Sequence, residues 1–505
     1  MPAELPTMLA VDLGASSGRV IAGRLERGRL RTEELSRFAN GPVAVPTPTG
    51  ERLHWDVLSL WAGITAGLRA AGATGAAGAA GAAGPVASIG IDSWAVDYGL
   101  LDADGALLGN PVHYRDARTA GWPERLTAAL PAREHYATTG TQVQPFNTVY
   151  QVAAAAGDAQ LAAAERLLMI PDLLGFWLTG RHVTELTNAS TTGLLDVRSG
   201  TWSPRVLDAV RAATGHDVAR LLAPVVPPAT VVGGLLPHVE ADLGLPGTRL
   251  VTVGSHDTAS AVAAVPMAGD AAYVSSGTWS LVGLELDEPV LTEDSRAANF
   301  TNELGVDGTV RYLRNVAGLW LLQESMRTWA DRGDPRDVAD LVAAAADVPA
   351  LRTVVDVDDP VFAPPGDMPA RIADAARRTG QPVPEDPAAV TRCILDSLAL
   401  AYRRAIRTAS TLTGRSVEVV HVVGGGCRNA LLCRLTADAT GLPVVAGPVE
   451  GTAMGNLLTQ ALALGQIDGG LTAVREVVRA SVDLVRYDPT GPDLAWQRAE
   501  DRLRP

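Results

Sequence analysis

Short apolar runs separated by polar, glycine-containing turns are the main pattern along this chain. Residues 8–11 form such a run, which predicts a first strand ending at Asp12, and residues 19–24 predict the second strand of a hairpin. The pattern returns in the second half of the chain, where residues 271–274 and 281–286 flank a polar turn. This repetition predicts two similar α/β domains.

Other segments predict helices and further buried strands. The predicted helices cover residues 56–69, 387–412 and 427–440, and the predicted strands cover residues 87–91, 249–253 and 417–423. Together with the hairpins, they predict an N-terminal domain at residues 7–247 and a C-terminal domain at residues 251–485. Residues 70–84 are almost entirely Ala and Gly, so they lack side chains for a core and predict a mobile surface loop. Residues 331–386 carry no predicted chemistry.

Polar residues directly follow three of the predicted strands. Asp12 follows the first strand, residues 92–97 follow the strand at 87–91, and residues 254–258 follow the strand at 249–253. Open α/β sheets bind their ligands at the carboxyl ends of strands. We therefore expect the functional site at these positions.

Three glycine-rich turns add a candidate chemistry. They are Asp12-Leu-Gly-Ala-Ser-Ser-Gly-Arg19, Ser275-Ser-Gly-Thr-Trp-Ser280 and Gly424-Gly-Gly-Cys-Arg-Asn429. Glycine at positive φ exposes successive backbone N–H groups, which form an anion-binding concavity. One such turn alone is more often a tight connection, but three of them favour a nucleotide held between two halves. The third turn has Asn429 where a dinucleotide-binding fingerprint needs glycine, which argues against a Rossmann domain.

Composition and charge narrow the class of protein. The 505 residues are 47% apolar and 19% charged, enough for at least two domains. A net charge of -14 without a basic cluster argues against nucleic acid or an anionic membrane as the main partner. The N-terminus lacks a targeting pattern and no apolar stretch is long enough to cross a bilayer, so a cytoplasmic location is predicted. The three cysteines have no C-x-x-C spacing and are expected to be reduced packing residues.

The chain contains no lysine, so all 42 basic residues are arginine. A Walker A loop, a protein kinase and a Schiff-base enzyme each require a lysine. If the chain binds ATP, it must therefore do so with another fold.

Asp257 and several other polar or aromatic residues allow both a structural and a chemical interpretation. Asp257 comes just before a predicted helix, so its carboxylate is expected to cap the helix, which would keep it ionised and suit a base. His256 and Trp94 could be packed residues, and Asp97 a turn residue that closes a strand. The residues alone leave these alternatives open.

The four motifs at residues 11–19, 254–258, 275–280 and 424–429 together resemble those of the FGGY carbohydrate kinases, members of the actin-like ATPase superfamily. The resemblance spans nearly the whole chain. It implies an α/β fold of two actin-like, ribonuclease H-like domains with a central nucleotide and sugar cleft. It also implies ATP and Mg²⁺ as cofactors.

Further motifs resemble the members of the family that act on L-rhamnulose. They are Ile91-Asp-Ser-Trp-Ala-Val-Asp-Tyr98, Tyr114-Arg-Asp-Ala-Arg-Thr119, Gln144-Pro-Phe-Asn-Thr148 and Asn315-Val-Ala-Gly-Leu-Trp-Leu-Leu-Gln323. The implied reaction transfers the γ-phosphoryl group of ATP to the 1-hydroxyl of L-rhamnulose in rhamnose degradation.

The resemblance also implies roles for individual residues. Asp257 is the expected catalytic base and Asp12 the expected residue at magnesium. The residues expected at the ATP phosphates are Ala15, Ser16, Ser17, Gly18, Arg19 and Thr278, with Gln323 and Gly426 on the nucleotide side. The residues expected at the sugar are Ala95, His256, Asp257, Thr258 and Asn315. At Ala95 the family has a glycine, and this departure bears on sugar specificity.

Three alternatives stay open at this point. Another FGGY kinase would act on L-fuculose, xylulose or glycerol. A noncatalytic sugar sensor or scaffold would need the fold and ATP but no base, and the presence of Asp257 beside His256 argues against it. A sugar-responsive transcription regulator is disfavoured, because no basic recognition segment is present.

Overall fold

The computed structural model describes residues 6–48, 50–73, 85–491 and 493–503. Contacts between residues divide the chain into two compact units, each built from three separate segments. The first unit comprises Met1–Ala264, Leu286–Tyr312 and Gly451–Ser481, and the second comprises Val265–Glu285, Leu313–Glu450 and Val482–Pro505.

Strands and helices are numbered in chain order. The strands are β1 (Thr7–Leu13), β2 (Ser17–Glu26), β3 (Arg29–Ala39), β4 (Pro42–Thr47), β5 (Gly50–Trp55), β6 (Val86–Ser93), β7 (Tyr98–Leu101), β8 (Arg166–Met169), β9 (Thr184–Glu185), β10 (Leu195–Asp196), β11 (Thr201–Trp202), β12 (Val225–Val226), β13 (Val231–Gly234), β14 (Arg249–Val251), β15 (Ala271–Ser276), β16 (Trp279–Leu286), β17 (Thr301–Leu304), β18 (Val310–Ala317), β19 (Val419–Val423), β20 (Val444–Ala446) and β21 (Val485–Tyr487). The helices are α1 (Val57–Ala73), α2 (Trp122–Leu126), α3 (Ala132–Thr139), α4 (Thr148–Ala154), α5 (Ala159–Ala163), α6 (Ile170–Thr179), α7 (Leu186–Ala189), α8 (Pro204–Thr214), α9 (Pro237–Leu243), α10 (Asp257–Ala263), α11 (Glu293–Ala297), α12 (Trp320–Asp331), α13 (Val338–Ala346), α14 (Met368–Arg378), α15 (Pro387–Thr413), α16 (Ala430–Thr440), α17 (Gly451–Ala463), α18 (Gly470–Ser481) and α19 (Asp493–Asp501).

The main sheet of the first unit has six strands in the order β13-β14-β6-β1-β2-β3. Strands β14, β6 and β1 are parallel, whereas β1–β2, β2–β3 and β13–β14 are antiparallel pairs. Every residue of β1 is buried, as expected for a central strand covered on both faces.

Alternate residues of β1 and β6 pack against different helices, because successive side chains of a strand point to opposite faces. Leu9 and Ile89 lie in one hydrophobic core with Ile64 of α1 and Leu173 of α6. Gly90 faces α17, where a Cβ would lie 2.5 Å from Asn456 Oδ1. The glycine therefore allows the close approach of α17 to the sheet.

The second unit repeats this strand arrangement. Strands β18, β16, β15, β19, β20 and β21 are neighbours in that order. The β15–β16 and β20–β21 pairs are antiparallel, and β15, β19 and β20 are parallel. Going outward from the hairpin, the run β16-β15-β19-β20-β21 has the same pairing pattern as β2-β1-β6-β14-β13. The predicted repetition of an α/β pattern is confirmed.

Most predicted elements are confirmed, with three corrections. The helix predicted at 427–440 begins at Ala430, because Asn429 caps it and a 3₁₀ turn occupies Gly425–Arg428. The polar turn predicted at 275–280 is only two residues long in the structure, because β15 extends to Ser276, β16 begins at Trp279, and Ser276 pairs with Ser280. Residues 70–73 of the predicted loop are the last turn of α1, and residues 74–84 lie outside the described residues.

Two further features bear on the predicted class of protein. In the part of the chain that the structure describes, no helix has both the length and the apolar character to cross a membrane. Cys393, Cys427 and Cys433 are all buried, as expected for packing residues.

Candidate active site

The carboxyl ends of β14, β6 and β1 lie side by side in the first unit and carry its polar residues. Asp12 of β1 is the register partner of Asp92 of β6. Beyond the end of β14, Ser93 pairs with His256 in a parallel bridge, and the Ser93 amide donates to the Ser255 carbonyl at 2.9 Å. The prediction that polar residues gather at the strand ends is confirmed.

The turn of the first hairpin places Ala15 and Ser16 between β1 and β2, while Ser17, Gly18 and Arg19 begin β2. Arg19 forms an ion pair with Asp12, directly across the hairpin. Asn40, which the sequence analysis did not identify, fixes the turn: its side-chain amide donates to the Gly14 carbonyl at 2.8 Å, and its backbone amide to Ser16 at 3.2 Å.

The expectation that the glycines of these turns adopt positive φ is mostly wrong. Among the glycines of the three turns, all described by the structure, only Gly424 has a positive φ, at 80°. Gly18 is needed for a different reason, since a Cβ there would lie 2.2 Å from Phe38 Cε2. Close packing, and not a special backbone conformation, therefore explains that glycine.

Asp92 is a fully buried carboxyl group behind this turn. Its Oδ2 accepts a hydrogen bond from Asn456 Nδ2 at 2.6 Å, and its Oδ1 has no hydrogen-bond partner among the described residues. Burial, and secondly the nearby Asp12 carboxylate, raise the pKa of Asp92 well above its usual value. Gln460 in turn donates to Asn456 Oδ1 at 2.7 Å. Asn456 and Gln460 were not predicted from the sequence. Two side-chain amides four residues apart on an otherwise apolar helix lie on one face of it, and this spacing could have indicated a buried polar contact.

Asp257 and His256 lie at the start of α10. The prediction that Asp257 caps this helix is wrong, because His256 is the N-cap residue and Asp257 already has helical geometry. Asp257 Oδ1 accepts from Thr258 Oγ1 at 3.1 Å and lies 3.5 Å from His256 Nε2. Burial raises the pKa of Asp257, where the expected capping bonds would have lowered it. A raised pKa makes the carboxylate a stronger base.

Glu185, also missed from the sequence, holds the segment before Asp257. Its fully buried carboxylate accepts from the Ser255 amide at 3.2 Å and the Ser255 hydroxyl at 2.7 Å. It also accepts from Thr187 Oγ1 at 2.6 Å, and Thr187 Oγ1 accepts from the His256 amide at 3.2 Å. The backbone leading to Asp257 is thus fixed by hydrogen bonds before α10 begins.

Ala95 lies half-buried in the loop after β6, next to a group of aromatic side chains. Trp94 packs on Trp55 with ring centroids 3.9 Å apart, and both indole N–H groups donate to Asp97 Oδ2. Burial raises the pKa of Asp97 to about 6, despite these hydrogen bonds. Val96, beside Ala95, has φ of 67°, a strained conformation for a β-branched residue. Trp94 is therefore a core residue. Asp97 does not only close a turn, because its carboxylate also holds the two indole rings by hydrogen bonds.

Two residues that are predicted to lie near ATP, Thr278 and Gln323, contact each other in the second unit. Thr278 Oγ1 donates to Gln323 Oε1 at 3.2 Å. The amides of Leu319 and Trp320 at the start of α12 donate to the carbonyls of Gly277 and Thr278. This places the second hairpin turn at the N-terminus of α12.

The third glycine turn packs directly on the same hairpin. A Cβ at Gly426 would lie 2.0 Å from Ser276 Oγ, so only glycine fits there without a shift. Asn315, a predicted sugar residue, lies half-buried on β18 and belongs to neither turn.

The family resemblance implies a divalent cation, and the first unit has residues that suit one. No group of three or more His, Cys, Asp or Glu side chains close enough to hold a metal ion occurs among the described residues. Magnesium, however, usually takes only one or two carboxylates and completes its shell with water and phosphate oxygens. Asp12, at a strand end beside the orphan oxygen of Asp92, fits that requirement.

Solved structures of sugar kinases share this architecture. The chain is similar to gluconate kinase from Lactobacillus acidophilus (TM-score 0.77, 16% identity, covering 99% of this chain and 96% of that one). It is also similar to xylulose kinase from Rhodospirillum rubrum (TM-score 0.73, 21% identity, 98% and 96% covered) and to Plasmodium falciparum glycerol kinase with ADP (TM-score 0.76, 14% identity, 99% and 97% covered). At these identities the likeness establishes the fold alone, which is the two-domain α/β fold of sugar kinases.

Sequence comparison then identifies the family. Residues 7–264 match the N-terminal domain of the FGGY family of carbohydrate kinases, and residues 272–464 match its C-terminal domain. The chain is 41% identical to a rhamnulokinase of Bacteroides thetaiotaomicron over 97% of both chains, and 38% identical to one of Bacillus subtilis over 96% of both. The chain belongs to the FGGY family of carbohydrate kinases. The family implies ATP as phosphoryl donor, a sugar acceptor and a divalent cation.

Proposed function

We propose that this chain transfers the γ-phosphoryl group of ATP to the 1-hydroxyl of L-rhamnulose, giving L-rhamnulose 1-phosphate and ADP in L-rhamnose degradation. Relatives at 38–41% identity over nearly the full chain are rhamnulokinases. The solved gluconate, xylulose and glycerol kinases named above are only 14–21% identical. The sequence similarity therefore favours L-rhamnulose over the other sugars.

The observation that carries a kinase mechanism is the placement of Asp257. Its carboxylate lies at the start of α10, next to the carboxyl ends of three parallel strands, with the imidazole of His256 3.5 Å away. Phosphoryl transfer has a loose transition state in which the acceptor proton leaves late, so orientation of the hydroxyl matters more than basicity. We assign Asp257 the role of orienting the hydroxyl and accepting its proton.

The other predicted residues take supporting roles in this proposal. Ala15, Ser16, Ser17, Gly18, Arg19 and Thr278 bind the ATP phosphates, and Gln323 and Gly426 lie on the nucleotide side. Ala95, His256, Thr258 and Asn315 contact the sugar. Asp12 holds Mg²⁺, which when bound neutralises phosphate charge. Arg19 forms an ion pair with the same carboxylate, so a cation held by Asp12 would compete with that ion pair.

A cytoplasmic location forms part of the same proposal. ATP-dependent sugar breakdown supports the location. The charge of -14 supports small-molecule partners over nucleic acid.

The test is release of ADP in a coupled assay with Mg²⁺-ATP and five acceptors: L-rhamnulose, L-fuculose, D-xylulose, L-ribulose and glycerol. The expected result is a strong preference in kcat/KM for L-rhamnulose. A preference for another sugar would keep the family and overturn the substrate. If folded protein binds ATP but releases no ADP with any of the five acceptors, the enzymatic proposal is overturned in favour of a sensor or scaffold.

Ala95→Gly sharpens the same assay, because it restores the residue that the resemblance leads us to expect. If the Ala95 methyl narrows the sugar site, the variant should accept the five sugars less selectively than the wild type. An unchanged ranking would remove Ala95 from substrate selection.

A further inference from the structure

Three charged or titratable side chains lie behind Asp257 and form what we call the Glu303 cluster: His256, Glu303 and Arg311. They are 8%, 5% and 0% exposed. Glu303 Oε2 lies 3.2 Å from His256 Nδ1 and 3.0 Å from Arg311 Nη1. The opposite ring nitrogen, Nε2, is the one that lies 3.5 Å from Asp257 Oδ1. The imidazole therefore lies between two carboxyl groups.

The two carboxyl groups have opposite pKa shifts. Burial alone would raise the pKa of Glu303, but Arg311 and His256 outweigh it and lower the pKa below its usual value. Burial dominates at Asp257 and raises the pKa there. When neighbouring titratable groups are pushed apart in this way, they are suited to different roles. Glu303 remains the permanent anion, whereas Asp257 is the group able to take up a proton.

Glu303 faces one of the two ring nitrogens: its Oε2 is within ion-pair distance of Nδ1, without the angles of a formed hydrogen bond. An ionised carboxylate can only accept hydrogen bonds, so it favours a proton on Nδ1. Arg311 Nη2 lies farther from Nδ1, at 3.4 Å, and has the Leu304 carbonyl as an acceptor at 3.3 Å. With Nδ1 on the side of Glu303, Nε2 lies on the side of Asp257.

We propose that Glu303 is a positioning residue for phosphoryl transfer: it holds the His256 ring through Nδ1 so that Nε2 faces Asp257 and the acceptor hydroxyl, and Arg311 holds Glu303. This inference rests on the proposed function, because it assigns His256 and Asp257 to the acceptor side. The backbone of His256 is fixed independently by Thr187. Glu303 therefore acts on the ring, and not on the path of the chain.

The kinetic test is a double-mutant cycle with the sugar that the wild type prefers in the acceptor assay. A misplaced ring should lower kcat/KM for the sugar about 100-fold in Glu303→Ala. The KM for ATP should stay within about twofold, and Glu303→Gln, which keeps an acceptor oxygen, should recover most of the loss. In a His256→Ala background, Glu303→Ala should cost little more, because residues that act through one another are not additive. Full additivity would overturn the proposal.

A second variant separates positioning from stability. Removing Glu303 alone leaves the Arg311 cation buried and unpaired, which is destabilising. Combining Glu303→Leu with Arg311→Met removes both charges and should restore a Tm near that of the wild type, while kcat/KM stays low. Wild-type activity in this double variant would overturn the proposal.

A third measurement does not depend on turnover, so it separates this inference from the proposed function. In protein labelled with ¹⁵N-histidine, the His256 signal is identified by its absence from His256→Ala. Its ring shifts should report a proton on Nδ1 in the wild type, and this preference should weaken in Glu303→Ala. A proton on Nε2 in the wild type would overturn the proposal even if the enzyme is active on L-rhamnulose, and a proton on Nδ1 would support it even if the enzyme is not.

Discussion

The two hairpins β1–β2 and β15–β16 occupy equivalent positions in sheets of the same strand order, but they have different chemistry. In the first hairpin, Asp12 pairs with Arg19, and Asp92 lies at the end of the neighbouring strand. In the second, the equivalent region carries Ser275 and Ser276, and the neighbouring strand β19 ends at Val423 before the glycine turn. The same strand arrangement thus has charged side chains at its strand ends in the first unit and closely packed backbone there in the second.

Under the proposed function, this difference gives the two units different roles. In the proposed function, Asp12 holds the cation and Asp257 takes up the proton; in the first unit Asp12 is buried and Asp257 is half-buried, settings that shift the pKa of a carboxyl group. In the second unit, Gly426, which we propose to lie on the nucleotide side, packs closely against Ser276. Substitutions on the charged side should therefore affect the chemical step most, and those on the glycine side should affect stability and nucleotide affinity.

The largest effect is expected for Asp257→Asn. The amide keeps the shape of the side chain but cannot accept the hydroxyl proton, so kcat should fall about 100- to 10,000-fold. Sugar affinity, measured by isothermal titration calorimetry, should change little, because the neighbouring hydrogen-bonding groups remain. The coupled ADP assay gives the rate.

Asp294→Asn is the matched control, since Asp294 is an exposed aspartate in the first turn of α11. It should keep the wild-type rate. Because burial raises the pKa of Asp257, wild-type kcat/KM should fall as the pH drops toward that raised pKa, and this acid limb should be absent from Asp257→Asn. Wild-type turnover in Asp257→Asn would remove Asp257 from the mechanism.

A smaller effect is expected for Asp12→Asn in the charged hairpin. Loss of a charged partner is worth about 1.5–3 kcal/mol, or roughly 10- to 100-fold. The Mg²⁺ concentration needed for half-maximal activity should rise by that factor, while KM for the sugar stays the same. Titration of Mg²⁺ at fixed ATP measures it, and direct Mn²⁺ binding in the absence of sugar checks it without turnover.

Ser275→Ala in the second hairpin is the comparison for Asp12→Asn. Ser275 holds the equivalent strand position, paired with Leu281 and next to Val423. Its removal should leave the Mg²⁺ dependence unchanged. Equal shifts in the two variants would show that the hairpins do not differ in the way proposed here.

Local patterns in the sequence predicted the framework well. Apolar runs ending in polar or glycine-rich turns gave both hairpins and the central strands, because buried strands must be apolar along their length. The start of α10 was displaced by one residue, since His256 and Asp257 are both acceptable at a helix start and local sequence does not separate them. The mixed α/β fold followed from the repeated pattern and from the resemblance.

What could not be predicted depends on contacts between residues that are distant in sequence. Asp92 is held by Asn456, which lies 364 residues away, and Ser255 by Glu185, which lies 70 residues away. Glu303 and Arg311 belong to strands whose role depends on their packing beside His256. No local spacing encodes such contacts, so the charged residues behind the site became visible only in the structure.

The smallest effect, and the one that tests the glycine side of the comparison, is expected for Gly426→Ala. The new Cβ would lie 2.0 Å from Ser276 Oγ and 2.5 Å from Ser276 Cβ. Overpacking of this kind costs about 1–3 kcal/mol, so Tm should fall and KM for ATP should rise, with kcat nearly unchanged. Adding Ser276→Gly removes both clashing atoms and should recover much of the loss. Gly425→Ala is the matched control, because no described atom lies within 4 Å of its Cβ position, and it should be neutral. If Gly425→Ala and Gly426→Ala were equally damaging, the glycines would be required for access to the nucleotide and not for packing against β15.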